Sequence, residues 1–311
     1  MIHLSDIWDV CHKGQFMTKI KKVLAFDIGG TKIAYALVDS KGKICSDVVK
    51  HATPATNEAV YAFLKKNIQQ HEAEVDAIAI STAGTVDKGN KRICGSVGNM
   101  PAGYDKTDFQ SLSSKPVYVE NDANAAVWAE YKLGNAKGMD NVVLLTLGTG
   151  VGVGIIVDGH LLRGKSGAGG EVHFPIRQDN HRRCSCGNYD CLEIYMSGRA
   201  LNLDAKEFFK NDDATSYDVI NGLKENKSPA VEAFNHWQNM VEDGVVIFAN
   251  IFDPDIILLG GSMAHFINYK KVNEEANAKI VTAPFVLKEA AFENDAGLIG
   301  AALRCVDTVK I

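Results

Sequence analysis

This chain lacks three things, and each absence removes a class of function. No uninterrupted run of 18 or more apolar residues occurs, so no segment is long enough to cross a bilayer as a helix. There is no surplus of positive charge: 33 Lys and Arg face 38 Asp and Glu, and no basic stripe is interleaved with aromatics. A net charge of −5 makes nucleic acid a poor partner. The first residues show no charged region leading into an apolar stretch and a small-residue cleavage site, so the expected compartment is the cytoplasm. Cysteine is sparse as well, seven in 311 residues, and Cys11, Cys45, Cys94 and Cys305 each stand alone among apolar neighbours. That pattern predicts small buried side chains with free thiols rather than a disulfide framework. What is plentiful is apolar residues, 46% of the chain, enough to fill the cores of two lobes.

The apolar pattern opens convincingly at Val23. It predicts a strand "VLAFDI", a Gly29-Gly30 turn, a strand "IAYALVD" and a third strand around Ile44 to Val49, an antiparallel meander. Val60, Phe63, Leu64 and Ile68 then recur at helical spacing, followed by a buried strand from Val75 and a short one at Pro116. An alanine-rich helix from Asp122 to about Leu133 closes this cycle. At Asn141 the theme repeats: strand, glycine turn, strand, an Asp158-Gly159 hairpin and another strand. Helices follow after Ser197, a long one from about Val231 to Ile251, then a strand from Asp255 to Gly261 and a last helix from about Gly297 to Val306. Two similar sheets, each covered by helices, predict a duplicated α/β fold with a cleft between two lobes.

Both meanders turn on glycine. In "FDIGGTK", Gly29 and Gly30 lack Cβ atoms, so backbone N–H groups can approach an anion closely, and Thr31 adds a hydroxyl donor. Asp27, at the strand end, is placed to hold the hydration shell of a Mg²⁺ ion. "LGTGVGVG" repeats the arrangement with Gly148, Thr149 and Gly150. A Gly-Gly hairpin is the plainer reading of either turn alone; two of them, facing one another across a cleft, would clamp the ends of a polyphosphate. Neither matches a P-loop or a Rossmann glycine motif.

Two further segments carry chemistry. Asp122, where a strand end meets a helix N-terminus, is rigidly held, and the helix dipole favours its ionised form, as a general base requires. Capping the helix is its alternative job. In "CSCGNYDC", the CxC spacing puts Cys184 and Cys186 on one face of an extended chain, and Gly187 permits a turn that brings Cys191 back toward them. Three thiolates plus one histidine make a tetrahedral zinc set; His181 is the histidine nearest in sequence. A local disulfide or metal-free packed thiols are the alternatives.

On "DIGGTK", "ENDANAAVWAE", "LGTGVGVG", "CSCGNYDCLE" and "DPDIILLGGS", in that order, the chain resembles the ROK family (repressors, open reading frames and kinases) from Val23 to Val306. The resemblance implies a duplicated ribonuclease H-like, or actin-like ATPase, fold. Residues 23–121 with about 296–311 would form the small lobe, and 122–295 the large one, with a zinc loop over 173–191. It further implies that Mg-ATP is held by Asp27, Gly29, Gly30, Thr31 and Lys32 on one side and by Gly148, Thr149 and Gly150 on the other. Gly260 and Gly261 would border the adenosine. Asp122 is the implied catalytic base, with Asn121, Asn99 and the loop around Gly84 on the sugar. His173, Cys184, Cys186 and Cys191 are the implied ligands of a structural Zn²⁺, with His173 and Glu193 also at the sugar. The family commonly reads ExGH where this chain reads "GGEVHFP". Either Gly170 occupies the position of the sugar-binding Glu, or Glu171 keeps that role through a one-residue deletion.

The resemblance therefore implies an ATP-dependent kinase of a hexose or N-acetylhexosamine, N-acetylmannosamine first, with glucose, fructose and N-acetylglucosamine as alternatives. It also implies a homodimer. A sugar-responsive repressor of the same family is the contrasting expectation; the 22 residues before Val23 leave no room for a helix-turn-helix domain. Residues 1–16 have little pattern, so 1–22 is expected to be an extension and Met17 the better start.

Overall fold

The computed structural model describes residues 19–310 apart from 96, 178 and 180. Cys11 and the question of Met1 or Met17 lie outside the described residues. Among the described residues, ten strands form two five-stranded sheets. The first contains β1 (Lys22–Ile28), β2 (Lys32–Asp39), β3 (Val49–Ala52), β4 (Ala77–Thr82) and β5 (Val117–Asn121), in the order β3-β2-β1-β4-β5. The second contains β6 (Val142–Leu147), β7 (Val151–Val157), β8 (His160–Leu161), β9 (Ile256–Gly260) and β10 (Val286–Glu289), in the order β10-β9-β6-β7-β8. In both, three antiparallel strands are extended by two that run parallel to the first. The same order in each sheet is the duplication that the repeated glycine meander predicts.

Central parallel strands must be covered on both faces, which is why β4 reads as an unbroken buried run. One face of the first sheet takes Val60, Leu64 and Ile68 of helix α1 (Asn57–His71). The other takes Leu298, Ala301, Ala302 and Cys305 of α8 (Ala296–Thr308), the end of the described chain returning to its beginning. The second sheet packs on α3 (Glu193–Met196), α4 (Gly198–Phe209), α5 (Ser216–Lys224), α6 (Ser228–Phe252) and α7 (Tyr269–Lys279) around buried Trp237. Helix α2 (Asp122–Leu133) covers its other face and crosses α8 between the sheets. A Cβ on Gly300 would lie 1.7 Å from the Ala125 carbonyl oxygen, so that crossing requires glycine. The alanines of "DANAA" bring the helices this close.

Three expectations shift. The third strand is Val49–Ala52, while Ile44 makes only an isolated bridge to Val38. The Asp39 carboxylate accepts from the Lys41 and Lys43 N–H groups and holds the preceding turn, which delays the strand. Strand β10, only four residues with a single buried one, carries no pattern that sequence could show. Cys305 is buried, whereas Cys45 and Cys94 are exposed; an apolar neighbour in sequence does not put a loop cysteine under the surface.

The carboxyl ends of β1, β4 and β5 fall at one edge, since Ile28 pairs with Thr82 and Thr82 with Asn121. Ligands of open α/β sheets collect there because the strand-to-helix loops leave a crevice. The crevice here is a cleft of about 350 Å³ lined from both sheets.

Candidate active site

The two glycine turns enter this cleft from opposite sheets: Gly29, Gly30 and Thr31 from one, Gly148, Thr149 and Gly150 from the other. At the first, the Gly29 N–H donates to the Lys32 carbonyl (2.9 Å). At the second, the Gly148 N–H donates to the Gly150 carbonyl (3.0 Å). The later glycines of "LGTGVGVG" serve packing as well, because a Cβ on Gly154 would lie 2.4 Å from the Ala123 carbonyl oxygen of α2. Gly261, at φ +85°, lines the cleft in a conformation that an L side chain rarely takes, while Gly260 is buried in β9. Lys32 reaches the rim instead, its Nζ 3.4 Å from Asn294 Oδ1.

At the floor, the sequence left open whether Asp122 is a base or a helix cap. The cap is Asn121: its Oδ1 accepts from the Ala123 N–H (3.0 Å) and the Asn124 N–H (3.1 Å). Its amide nitrogen donates to the Gly84 carbonyl (3.1 Å), leaving one Nδ2 hydrogen for a ligand. Asp122 accepts only the adjacent Ala123 N–H through Oδ1 (2.8 Å), so among the described residues its other oxygen has no side-chain partner. Desolvation pushes its pKa up to about 6, and the negative charge of Asp27 adds to the shift. The residue still opens onto cleft water, which tempers the shift without reversing it.

Asp27 lies beneath the first turn, with Oδ1 accepting from the Ser81 hydroxyl (2.7 Å). Burial raises its pKa too. A Cβ on Gly297 would fall 2.4 Å from that oxygen, so the glycine at the start of α8 keeps the carboxylate unobstructed. Two nearby carboxylates, one of which disfavours the other's ionisation, are donor chemistry that fits a hydrated divalent cation. Beside them Glu120, fully buried, accepts from Tyr118 (2.9 Å) and Asn90 (3.1 Å) and lies 3.6 Å from both Arg163 and Arg304. This network anchors the strand end that carries Asn121 and Asp122.

The remaining wall combines Gly84, Asn99, Glu171, His173 and Glu193. Gly170 has φ +98°, and a Cβ there would lie 2.8 Å from the Val153 carbonyl oxygen, so a glutamate is excluded at that position. Glu171 is the carboxylate that reaches the cleft, with Oε1 3.3 Å from Thr85 Oγ1 and Oε2 3.6 Å from His173 Nε2. Behind it, a ring nitrogen of His173 and the sulfurs of Cys184 and Cys186 lie within 4.8 Å of one another. His173 Nδ1 is 3.6 Å from Cys184 Sγ, and Cys186 Sγ is 3.6 Å from Cys191 Sγ. A tetrahedral zinc with bonds of about 2.3 Å to sulfur spaces its ligands about 3.6 to 3.8 Å apart; His173, Cys184 and Cys186 converge as such a site requires, while Cys191 approaches Cys186 but lies outside that three-residue cluster. His181 turns away toward Glu207 (3.8 Å). The two buried oxygens of Asp190 hold the loop by accepting from the His181 and Arg182 N–H groups and the Tyr195 hydroxyl.

Glu193 ties this loop to the second glycine turn. Its Oε1 accepts from the Ser185 hydroxyl (2.9 Å), and its Oε2 lies 3.4 Å from the Val151 nitrogen. Thr85, in the loop around Gly84 that the resemblance places at the sugar, lines the cleft, and Asn124 and Thr146 join it without an expected role. Thr146 offered a signal, a lone hydroxyl in the apolar strand "VVLLTL"; its Oγ1 accepts from the Gly152 N–H (3.1 Å). Asn124 offered none; it is buried in the first turn of α2, its amide nitrogen 3.4 Å from Glu120 Oε1.

Residues 23–307 match the sequence profile of the ROK family. A glucokinase of Streptomyces coelicolor is 32% identical over 309 residues, covering 90% of this chain and 96% of that one. An N-acetylmannosamine kinase of Haemophilus influenzae is 30% identical over 292 residues, covering 90% and 94%. Among solved structures, a ROK family glucokinase from Streptomyces griseus in complex with glucose and AMPPNP superposes with a TM-score of 0.77 at 30% identity, covering 90% of this chain and 98% of that one.

Proposed function

The chain belongs to the ROK family and is an ATP-dependent sugar kinase; from that premise we propose that it phosphorylates N-acetylmannosamine, with Asp122 as general base. What supports the substrate reading is the group of relatives named N-acetylmannosamine kinase at 30 to 32% identity, beside a cleft that Asn99, Asn121, Glu171 and Glu193 line with polar groups. Glucose is the second reading, favoured by the relative at 32% identity that bears the name glucokinase.

In this reading the sugar lies between Asn99, Asn121, Glu171 and Glu193, with a primary hydroxyl toward Asp122. That carboxylate accepts the hydroxyl proton as the oxygen forms its bond to the terminal phosphorus of ATP, and ADP leaves. The N–H groups of the two glycine turns hold the polyphosphate from both sides. Asp27 would hold a hydrated Mg²⁺, which supplies charge neutralisation to the phosphates when bound. His173, Cys184, Cys186 and Cys191 would hold a structural Zn²⁺ that orders the loop behind Glu171. The test is a coupled assay of ADP release with glucose, fructose, mannose, N-acetylglucosamine and N-acetylmannosamine. The highest kcat/KM is expected with N-acetylmannosamine; a tenfold preference for glucose replaces it by the second reading, and turnover of none overturns both.

A further inference from the structure

Glu171 has a neighbour from the other sheet. Thr85 stands at the base of a hairpin following β4, where the Cys94 N–H donates to its carbonyl (2.8 Å) and Val86 bridges Ile93. Its side chain is almost fully buried, 6% exposed, and its hydroxyl donates to Glu171 Oε1 at 3.3 Å. Gly95 on the facing arm makes the space: a Cβ there would lie 2.8 Å from both Thr85 Cβ and Oγ1.

The separation of the two residues is set by contacts outside the pair. Arg163, on the segment that leads to Glu171, donates to Asn90 Oδ1 (2.5 Å) and to the carbonyls of Asp87 (2.9 Å) and Val86 (3.3 Å). Four residues on, a Cβ at Gly167 would lie 1.9 Å from the Val86 carbonyl oxygen, so the two backbones meet with no side chain between them. A carboxylate on a flexible side chain is thus met by a hydroxyl on a fixed one. Hydrogen bonds to an ionised acceptor are the stronger kind, and a buried hydroxyl loses stability without a partner.

We propose that Thr85 is a positioning residue: its hydroxyl holds Glu171 Oε1 so that Oε2 faces His173 and the sugar, and this sets the affinity for the acceptor. The proposal rests on the reading of Glu171 as a sugar ligand. The experiment compares Thr85→Val, Thr85→Ser, Glu171→Ala and the Thr85→Val/Glu171→Ala double variant. It measures KM for N-acetylmannosamine, glucose and ATP, and calorimetric binding of each sugar without ATP. Thermal melts check that each variant folds.

Thr85→Val, which keeps the shape and removes the hydroxyl, is expected to raise sugar KM about five- to tenfold, with kcat and ATP KM within about twofold. Thr85→Ser keeps near-normal sugar KM, and Thr85→Val adds less than about twofold once Glu171 is alanine. The proposal fails if Thr85→Val leaves sugar KM unchanged while Glu171→Ala raises it, or if Thr85→Ser is as damaging as Thr85→Val. A Glu171→Ala variant with normal sugar KM, or an unsubstituted protein that binds neither sugar, removes the underlying reading of Glu171 or of the acceptor, and the proposal with it.

Discussion

At the first glycine turn, a Cβ on Gly30 would come within 2.9 Å of the Asn99 carbonyl, a backbone atom; at the second, a Cβ on Gly150 would come within 2.5 Å of Glu193 Oε2, the end of a side chain. The turns are copies in topology, each joining the first two strands of a sheet with the same strand order. They differ in what has been built against them. The first is roofed by the backbone at Asn99. The second leans on Glu193, which belongs to the cysteine segment. The same strand order thus yields two glycine turns, one packed against backbone and the other against a side chain of the cysteine segment.

The largest effect expected is at Asp122, where the halves meet. Asp122→Asn should lower kcat by roughly a hundredfold or more with little change in either KM; steady-state kinetics would sink the base assignment by finding full turnover. The unsubstituted enzyme should lose kcat/KM about tenfold per unit as pH falls below about 6, where Asp122 takes its proton. The stability effect has the opposite sign. The raised pKa means that the native chain keeps this proton longer than the unfolded chain, so stability falls as pH rises from the ordinary value of 3.8 through about 6. Melts of Asp122→Asn should lack that part of the pH dependence and show a higher Tm at neutral pH.

Next in size is the expected effect of a zinc chelator on the cysteine loop. A strong zinc chelator should lower Tm by several degrees and raise sugar KM roughly tenfold, because metal binding and loop order are coupled. ATP KM should change less than about twofold; an equal rise in both constants would show that the loop serves both halves of the cleft alike.

The smallest effects test the comparison directly. Gly30→Ala must move backbone and should raise both KM values about tenfold, whereas Gly150→Ala displaces only a carboxylate and should raise sugar KM about threefold. Combining Gly150→Ala with Glu193→Ala removes the clash, so the double variant should match Glu193→Ala alone. Equal damage from the two single glycine variants would erase the distinction between the turns.

Much of the architecture was legible because it rests on local pattern. The repeated meander, the buried run of β4 and the amphipathic spacing of α1 each follow from side-chain periodicity, and the two sheets repeat one order as a result. The edge strand β10 was not, since four residues with one buried position leave no period to read. The candidate site divides in the same way. The glycine turns, Asp122 and the cysteines stand in continuous motifs, so their neighbours in space are largely their neighbours in sequence. Thr85 and Glu171 are 86 residues apart, and no motif joins them.

The amino-acid sequence by itself determined the two sheets, the places where backbone N–H groups could face an anion, and the set of sulfur and nitrogen donors near Cys184. These depend on short-range spacing and on the absence of Cβ atoms. Tertiary structure alone decided that Asn121 caps α2 and so frees Asp122, that His173 rather than His181 faces Cys184, and that Glu171 rather than position 170 reaches the cleft. Each choice turned on backbone direction and on distances of a few ångströms between segments far apart in the chain. Such distances are set by how α2 and α8 cross and how the 163–171 segment docks on its hairpin, which residue spacing does not encode.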